Sequence, residues 1–286
     1  MRVVVFPGGF NLPTWAAARQ GFFEQNGVSV ELTLTPSSTF QMQGLAEGRF
    51  DIAMTAFDNV VAYQEGQGEA KIPDNPDLFA FMGSDNAFLS VLGGKGVKSF
   101  ADLRGRKLSV DAMTTGFAFV LRELLAKNGV AESDVTFERA GGVVERFQAL
   151  MQGTHAATVV LTPFDLIGEA KGHKVLARAG ADYLGVVGAA RRSWAKQNEK
   201  ALEGFVRAYR DGVAFLYENR PIAEALLVAN MRAMTPELAR RSLDVFLDEK
   251  TGFYKDVRLD AKGMQTVLEL RSKFAGKPLT DPGKYL

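Results

Sequence analysis

The sequence contains no cysteine, and this absence excludes several kinds of chemistry at once. Without thiols the chain has no disulfide, no thiolate nucleophile, and no cysteine ligand for zinc or an iron–sulfur cluster. Only two histidines are present, His155 and His173, and each stands close behind a glycine before a strand-like segment, which indicates surface turns. We therefore predict no catalytic residue, no metal site and no cofactor.

An excess of charge of either sign is also lacking. Lysine and arginine number 34 and aspartate and glutamate 33, so the formal net charge is only +1. A chain this close to neutral has no broad field that favours nucleic acid or anionic lipid, and we expect no nucleic-acid partner. The longest apolar runs fall well short of the roughly 20 residues that a membrane-spanning helix needs. Since 47% of the residues are hydrophobic, the sequence predicts a soluble globular protein.

Strand-like and helix-like segments alternate between residues 1 and 65. Apolar runs at 3–6 and 51–55 and a period-two pattern at 28–34 predict strands, and a segment with helical spacing follows each of them. This β-α-β-α-β order is typical of a mainly parallel sheet with helices on both faces.

A second alternating unit follows, and after residue 198 the pattern is helical only. Strand-like runs, at 88–92 and 185–187, join the two units where a flexible linker would be expected, which indicates that the second unit is inserted into the first. We predict an α/β fold of two lobes, each a mainly parallel sheet flanked by helices, with two hinge crossings and a helical C-terminal tail on the first lobe. The predicted first lobe combines residues 1–88 and 188–286, and the second spans 89–187.

The segments just after the strands are candidates for a binding site. Ligands of open α/β sheets bind beyond the carboxyl ends of the strands, and helix N-termini there offer free N–H groups to anionic or carbonyl oxygens. Many of these residues have a second interpretation as ordinary helix N-caps. In a cleft between the lobes, we predict ligand contacts from Phe10, Asn11, Ser38, Thr39, Phe57, Asp58, Asp85, Asp111, Thr114, Thr115, Thr162 and Phe164.

Four acidic residues fall in these segments: Asp58, Asp85, Asp111 and Asp165. A hydrolase that works with paired carboxylates could use them, although their spacing does not demand it. No phosphate-binding glycine loop and no metalloprotease or serine-hydrolase motif follows a strand.

Two further residues have a functional and a structural interpretation. Arg146, near the start of a helix behind Gly141 and Gly142, could reach the cleft as a counter-ion, but we favour a solvated helix face. Phe117 could stack on a flat ligand or belong to the core. Because few lysines or arginines occur in the loops, we expect a flat, partly apolar solute rather than a highly charged anion.

Three segments carry a family resemblance: AAARQGFF at 16–23, QGLAEGRFDIA at 43–53 and DLRGRKLSV at 102–110. With others in the same order across residues 2 to 220, they resemble the solute-binding proteins of ABC importers, in the branch of sulfonate, taurine, nitrate and thiamine-precursor binders. The resemblance implies the type II periplasmic-binding-protein fold, a monomer, and a membrane permease as partner. It also implies capture, by hinge closure, of a small organic solute such as an aromatic or heterocyclic acid, a sulfonate or a pyrimidine-like compound.

The resemblance has departures and alternatives. In the family an acidic residue usually follows the glycine that corresponds to Gly153. This sequence has no acidic residue there and has His155 in that region instead. Enzymes of the superfamily that use cysteine, such as thiamine-pyrimidine synthases and desulfinases, are excluded by its absence. A non-thiol enzyme similar to a chorismate-dehydratase lyase, working with cleft carboxylates, stays as the alternative. An effector lobe of a transcription regulator is disfavoured, because no helix-turn-helix is visible.

The expected cellular location depends on whether Met1 is the native start of the protein. No signal peptide is visible before the apolar run at 3–6. The resemblance implies a periplasmic or lipid-anchored extracytoplasmic protein whose leader has been removed. If Met1 is the native start, the expected location is the cytoplasm.

Overall fold

Ten β-strands and twelve α-helices make up the described chain, residues 1–180 and 182–286 of a computed structural model. The strands are β1 (Arg2–Val5), β2 (Glu31–Leu34), β3 (Ile52–Ala56), β4 (Leu78–Gly83), β5 (Leu89–Gly93), β6 (Lys107–Val110), β7 (Thr136–Arg139), β8 (Ala157–Leu161), β9 (Lys174–Arg178) and β10 (Val186–Arg191). The helices are α1 (Leu12–Arg19), α2 (Phe22–Gln25), α3 (Ser38–Ala46), α4 (Phe57–Gln64), α5 (Gly116–Lys127), α6 (Val143–Met151), α7 (Phe164–Ala170), α8 (Arg192–Gln197), α9 (Glu199–Glu218), α10 (Arg220–Asn230), α11 (Pro236–Phe246) and α12 (Ala261–Ala275).

The strands form two five-stranded sheets with matching topology. The first has the order β2-β1-β3-β10-β4 and the second β7-β6-β8-β5-β9. In each sheet one strand is antiparallel to its neighbours, β10 in the first and β5 in the second. These are the strands that the chain enters directly from the other sheet. At each crossing the chain leaves one sheet at the carboxyl end of a strand and enters the other sheet at the edge that faces it. The strand that follows the crossing therefore runs antiparallel to its neighbours.

We call the first sheet with α1–α4 and α8–α12 the first lobe, and the second sheet with α5–α7 the second lobe. The expected α/β fold of two sheets flanked by helices is confirmed, and both sheets are mixed, with two parallel and two antiparallel strand pairings in each. Central strands are buried on both faces, as in β8, whose five residues are all buried, which is typical of sheets covered by helices on both sides. The sequence boundaries proposed for the lobes stay a prediction.

The helical tail packs on the first lobe and also reaches the second. On the first lobe, Phe205 of α9 stacks on Phe23 of α2, with ring centroids 5.6 Å apart. On the second, Phe274 of α12 stacks on Phe119 of α5, also at 5.6 Å. The tail therefore spans the side of the lobe interface. None of the described helices has both the length and the apolar content needed to cross a membrane.

Two short segments carry the chain between the sheets. At the first crossing, Asp85 Oδ1 accepts hydrogen bonds from the backbone N–H groups of Ala87 (2.7 Å) and Val186 (3.2 Å). Its backbone oxygen accepts another from the Gly185 N–H, at 2.9 Å, so the two crossings are bonded to each other. Ala87 and Phe88 have φ angles of 70° and 47°, in the left-handed region that side chains disfavour.

Candidate functional site

A cavity lies between the two lobes, at the carboxyl ends of the strands. In this closed form it leaves about 40 Å³ of free volume, below the roughly 300–1,000 Å³ that is typical of small-molecule sites. The first lobe lines it with Phe6, Phe10, Met54, Thr55, Ala56, Asn59 and Val186. The second lobe lines it with Asp111, Thr115, Gly116, Phe117, Val143, Arg146 and Leu161. The two lobes thus contribute equally to its walls.

The lobes are closed over this cavity. The Ser38 N–H donates to Asp111 Oδ2 at 2.9 Å, and the Gly142 N–H donates to the Pro36 carbonyl oxygen at 2.7 Å. A Cβ atom on Gly116 would lie 2.5 Å from the Cβ of Asp58, so only glycine permits this approach of α5 to α4. A Cβ atom on Gly142 would lie 3.0 Å from the Pro36 carbonyl oxygen, so the backbones approach closely here as well.

Glu69 makes a further contact between the lobes, across the mouth of the cavity. Its Oε1 accepts hydrogen bonds from the N–H groups of Met113 (2.5 Å) and Thr114 (3.3 Å), and its Oε2 pairs with Arg139 Nε at 2.7 Å. Sequence reasoning missed Glu69, because it stands in a polar loop without periodicity.

Arg146 is buried at the cavity, with only 3% of its surface exposed. Its Nη1 donates to the Gly141 oxygen at 2.8 Å and its Nη2 to the Val159 oxygen at 3.2 Å. Among the described residues no carboxylate lies within ion-pair distance of this guanidinium. Burial lowers its pKa, although the charges of Asp111 and Glu145 oppose that shift.

The solvated helix face expected for Arg146 is therefore wrong. Helix α6 buries Val143, Arg146, Phe147 and Leu150, which are spaced as one face of a helix. Arg146 occupies a core position of that face. The same spacing is visible in the sequence, and it predicts that Arg146 is buried.

Asp111 is the second charged residue at the cavity that lacks an ionic partner among the described residues. Its Oδ2 accepts the bond from Ser38, but its Oδ1 is buried and has no hydrogen-bond partner among the described residues. A buried acceptor without a partner costs about 1–3 kcal/mol, and more when charged.

The other three candidate carboxylates are engaged elsewhere. Asp58 forms an ion pair with Arg271, and Asp165 pairs with Arg178 and accepts from the Ser90 hydroxyl at 3.0 Å. Asp85 lies at the crossing between the sheets, and complete burial raises its pKa to about 6. Of the four, only Asp111 lines the cavity.

Two helices begin at the cavity without a side-chain cap. The N-cap of α5 is Thr115, whose hydroxyl donates to the Ala112 oxygen at 3.1 Å instead of accepting from the helix. The N-cap of α6 is Gly142, which has no side chain. First-turn N–H groups and the positive end of each helix dipole therefore remain available to an anionic group.

The structure brings together some of the twelve predicted contacts. Phe10, Asp111 and Thr115 line the cavity. Ser38 and Thr114 line a smaller adjoining space with a free volume of about 10 Å³. Asp58 and Asp85 lie at the lobe interface and the crossing, as described above.

The remaining five predicted residues lie away from the main cavity. Asn11 donates to the Phe6 and Gly8 oxygens and holds the loop after β1. Thr39 bonds the Ser37 hydroxyl, at 2.9 Å. Phe57 packs on Tyr285, and Phe164 packs on Phe147, so both belong to the core. Thr162 lines a separate crevice.

Comparison with known proteins gives a family and a fold. A sequence model of the family described as NMT1/THI5 like matches residues 11–221. No curated protein matches the sequence.

Solved structures show the same fold at low sequence identity. A protein from Bordetella bronchiseptica RB50 has a TM-score of 0.81 and 20% identity, over 99% of this chain and 92% of that one. The alkanesulfonate-binding protein SsuA from Xanthomonas axonopodis pv. citri, bound to MOPS, has a TM-score of 0.76 and 16% identity, over 99% and 94%. The periplasmic nitrate-binding protein NrtA from Synechocystis PCC 6803 has a TM-score of 0.73 and 15% identity, over 92% and 74%. These likenesses confirm the predicted two-lobed periplasmic-binding-protein fold.

Proposed function

This chain belongs to the NMT1/THI5-like family, and from that premise we propose that it is the solute-binding component of an ABC importer. In this proposal it captures a small organic solute in the cavity between its lobes and delivers it to a membrane permease. The structural neighbours that bind an alkanesulfonate and nitrate support an anionic group on the solute. The proposed location is periplasmic or extracytoplasmic, and the proposed form is a monomer.

One observation carries the proposal: Arg146 is buried at the cavity, and no described residue provides a carboxylate partner for it. Removing a charge from water is costly unless an opposite charge and hydrogen bonds compensate. Two uncapped helix N-termini face the same cavity and add positive potential. An acidic group of a solute would supply the missing compensation.

Hinge closure is the proposed mechanism. The two bonded crossings are the hinge, and the contacts of Ser38, Gly142 and Glu69 across the cleft form only when the lobes meet. A solute that touches both lobes gains contacts in the closed form that the open form lacks, so its binding shifts the population towards closure. The permease would then recognise the closed form.

We propose a narrower set of contacts than the twelve residues predicted from the sequence. Arg146 and the N-termini of α5 and α6 hold the acidic group, and Asp111 and Thr115 provide further polar contacts. Phe10 and Phe117 form apolar walls for a flat ring. Ser38 and Thr114 would then serve closure rather than the solute directly.

The enzymatic alternative needs a second carboxylate beside Asp111. Asp58, Asp85 and Asp165 are engaged with other partners, so no second acid is offered by the predicted set. Binding without turnover is therefore the function that we propose.

The test is calorimetric titration with aromatic acids, sulfonates, pyrimidines and nitrate, on the wild-type protein and on Arg146→Gln. Removing one partner of a buried charge pair costs about 2–5 kcal/mol, so we expect at least roughly 30-fold weaker binding in the variant. Arg104→Gln is the matched control, since Arg104 is an exposed arginine of the same lobe, paired with Asp134. Unchanged affinity in Arg146→Gln, or binding of simple inorganic anions only, would contradict the proposal.

A further inference from the structure

We propose that α12, the last helix of the tail, is a latch that holds the two lobes together before any solute binds. In this proposal α12 stays fixed to the rest of the first lobe, and its contacts with α5 of the second lobe form only in the closed state. The inference goes beyond solute capture, because it concerns the equilibrium between the open and closed forms and holds for any solute.

The first argument is that α12 is bound firmly to the rest of the first lobe. Arg271 and Asp58 form an ion pair in which both side chains are almost completely buried. Arg271 Nη1 also donates to Gln67 Oε1 at 2.7 Å, and Lys277, just after the helix, pairs with Glu65. Separating a buried ion pair leaves charges without compensation, so we expect α12 to move with the first lobe when the lobes part.

The second argument is that weaker contacts join α12 to α5 of the second lobe. Phe274 stacks on Phe119 with an angle of 17° between the ring planes. Next to it, Lys273 Nζ lies 2.6 Å from Glu123 Oε2, and the lysine side chain is 56% exposed. An aromatic stack and a half-exposed ion pair are broken more easily than a buried ion pair, so this side of α12 is the one that opens.

The third argument is that α12 runs from the hinge to the mouth of the cavity. Its first turn lies against the second crossing, where a Cβ atom on Gly263 would be 2.5 Å from the Leu184 nitrogen. Further along the helix, Arg271 Nη2 donates at 2.6 Å to the oxygen of Thr114, whose N–H bonds Glu69 at the mouth. Because a rotation about the crossings displaces atoms more the further they lie from the hinge, opening separates α12 from α5 at this end.

Contacts that exist only in the closed form shift the population towards that form. The stack and the ion pair together favour closure by roughly three- to tenfold. A solute that binds the closed form then has a higher apparent affinity, by up to the same factor, because more of the protein is already competent to bind it. The tail therefore sets solute affinity from outside the cavity.

Distances between spin labels measure the closed fraction, and the measurement needs no solute. Because the chain has no cysteine, the changes Leu34→Cys and Gln148→Cys place one label on an exposed residue of each lobe. Double electron–electron resonance then gives the ratio of closed to open molecules, and we expect both forms in the wild type. In Phe274→Ala this ratio should fall about three- to tenfold, and in Lys273→Gln about twofold.

Phe215→Ala is the matched control. Phe215 is also a half-buried phenylalanine of the tail, but it packs on Phe22 within the first lobe, with ring centroids 6.1 Å apart. This variant should keep the wild-type ratio. Circular dichroism shows whether each variant is folded. The ratio in Phe274→Ala decides if that variant folds, and the ratio in Lys273→Gln, a change at an exposed side chain, decides if it does not.

Three results would overturn the latch. They are an unchanged ratio in the deciding variant, an equal fall in Phe215→Ala, and a wild type that is entirely open without solute. None of them affects solute capture, which the calorimetric titration tests separately. Conversely, a panel of solutes that all fail to bind would remove the proposed function and leave the latch standing.

Discussion

Two buried arginines lie at the interface of the lobes, and their surroundings differ. On the side of the tail, Arg271 is fully buried and donates to Asp58 through Nε (2.8 Å) and Nη2 (2.6 Å). It also bonds the Gln67 side chain and the Thr114 oxygen. On the side of the cavity, the partners of Arg146 among residues 1–180 and 182–286 are backbone carbonyl oxygens only.

The pKa directions express the same difference. Burial alone would lower the pKa of Arg271, but Asp58 outweighs it and the pKa is raised. Burial lowers the pKa of Arg146, and its more distant carboxylates do not reverse the shift. The protein thus pairs the buried charge of Arg271 with its own carboxylate, whereas the described residues offer no carboxylate to the buried charge of Arg146. Removing one partner of a buried ion pair destabilises the fold, whereas a buried charge without an ionic partner at a cavity is suited to a ligand.

The largest expected effect is on the side of the tail. Arg271→Met leaves Asp58 as a buried, unpaired carboxylate, and we expect the free energy of unfolding to fall by about 3–5 kcal/mol. Urea unfolding followed by circular dichroism measures it.

The matched comparison is Arg146→Met in the absence of any solute. Because no carboxylate in the described part of the chain pairs with its charge, we expect a loss below about 1.5 kcal/mol, the scale of ordinary hydrogen bonds. The double variant Asp58→Asn/Arg271→Met should recover part of the stability lost in Arg271→Met. Equal losses at the two arginines would remove the distinction between the two sides.

An intermediate effect is expected from acid, again on the side of the tail. Burial alone would raise the pKa of Glu65, but hydrogen bonds from Lys277, Lys284 and Tyr285 outweigh it and lower the pKa to about 2. A lowered pKa in the folded state means that the stabilisation is fully present above the unfolded value, 4.5, and is lost as the pH falls towards 2.

The contribution is up to about 3 kcal/mol, and less in practice because the lysines are half-exposed to solvent. We expect the difference in unfolding free energy between wild type and Glu65→Gln to be largest at pH 6 and to shrink towards pH 3. A difference that is independent of pH would show that the Glu65 charge is not what holds the tail.

The smallest expected effect is at the mouth of the cavity. Glu69→Gln removes the ion pair with Arg139 and weakens the bonds from Met113 and Thr114, all of which cross between the lobes. Exposed pairs contribute about 0–1 kcal/mol, so we expect solute affinity to fall by roughly threefold, mainly through faster dissociation.

Stopped-flow binding kinetics measures that dissociation, and the unfolding free energy without solute should hardly change. Glu47→Gln is the control, because Glu47 also pairs with an arginine but within one lobe. A loss of unliganded stability in Glu69→Gln without a change in dissociation would assign Glu69 to the fold rather than to closure.

The fold was largely predictable from the sequence, because it depends on patterns that repeat. Alternating strand and helix signals indicated two sheets, and the apolar runs at 88–92 and 185–187 correctly indicated strands beside the crossings. The six-residue α8 was missed, since it is too short to show helical periodicity. That the tail reaches the second lobe was also missed, because it depends on side-chain contacts such as that of Phe274 with Phe119.

The candidate site was predictable as a place but not as a set of side chains. Segments after the strands do meet at the cavity, which follows from the geometry of parallel sheets. Which residues of a loop point inwards depends on local turns, so Asn11 and Phe57 fell outside while Phe6 and Asn59 were missed. Whether a carboxylate is free depends on partners distant in sequence, such as Arg271 for Asp58. Such pairings leave no local signal.

The central claim is that an acidic group of a solute, and not a carboxylate of the protein, pairs with the charge of Arg146. A crystal structure of the closed protein with a solute identified by titration tests it most directly. The account predicts the acidic group of that solute within hydrogen-bonding distance of the Arg146 guanidinium, in the cavity between the lobes. A solute bound outside this cavity, or one whose acidic group faces away from Arg146, would contradict it.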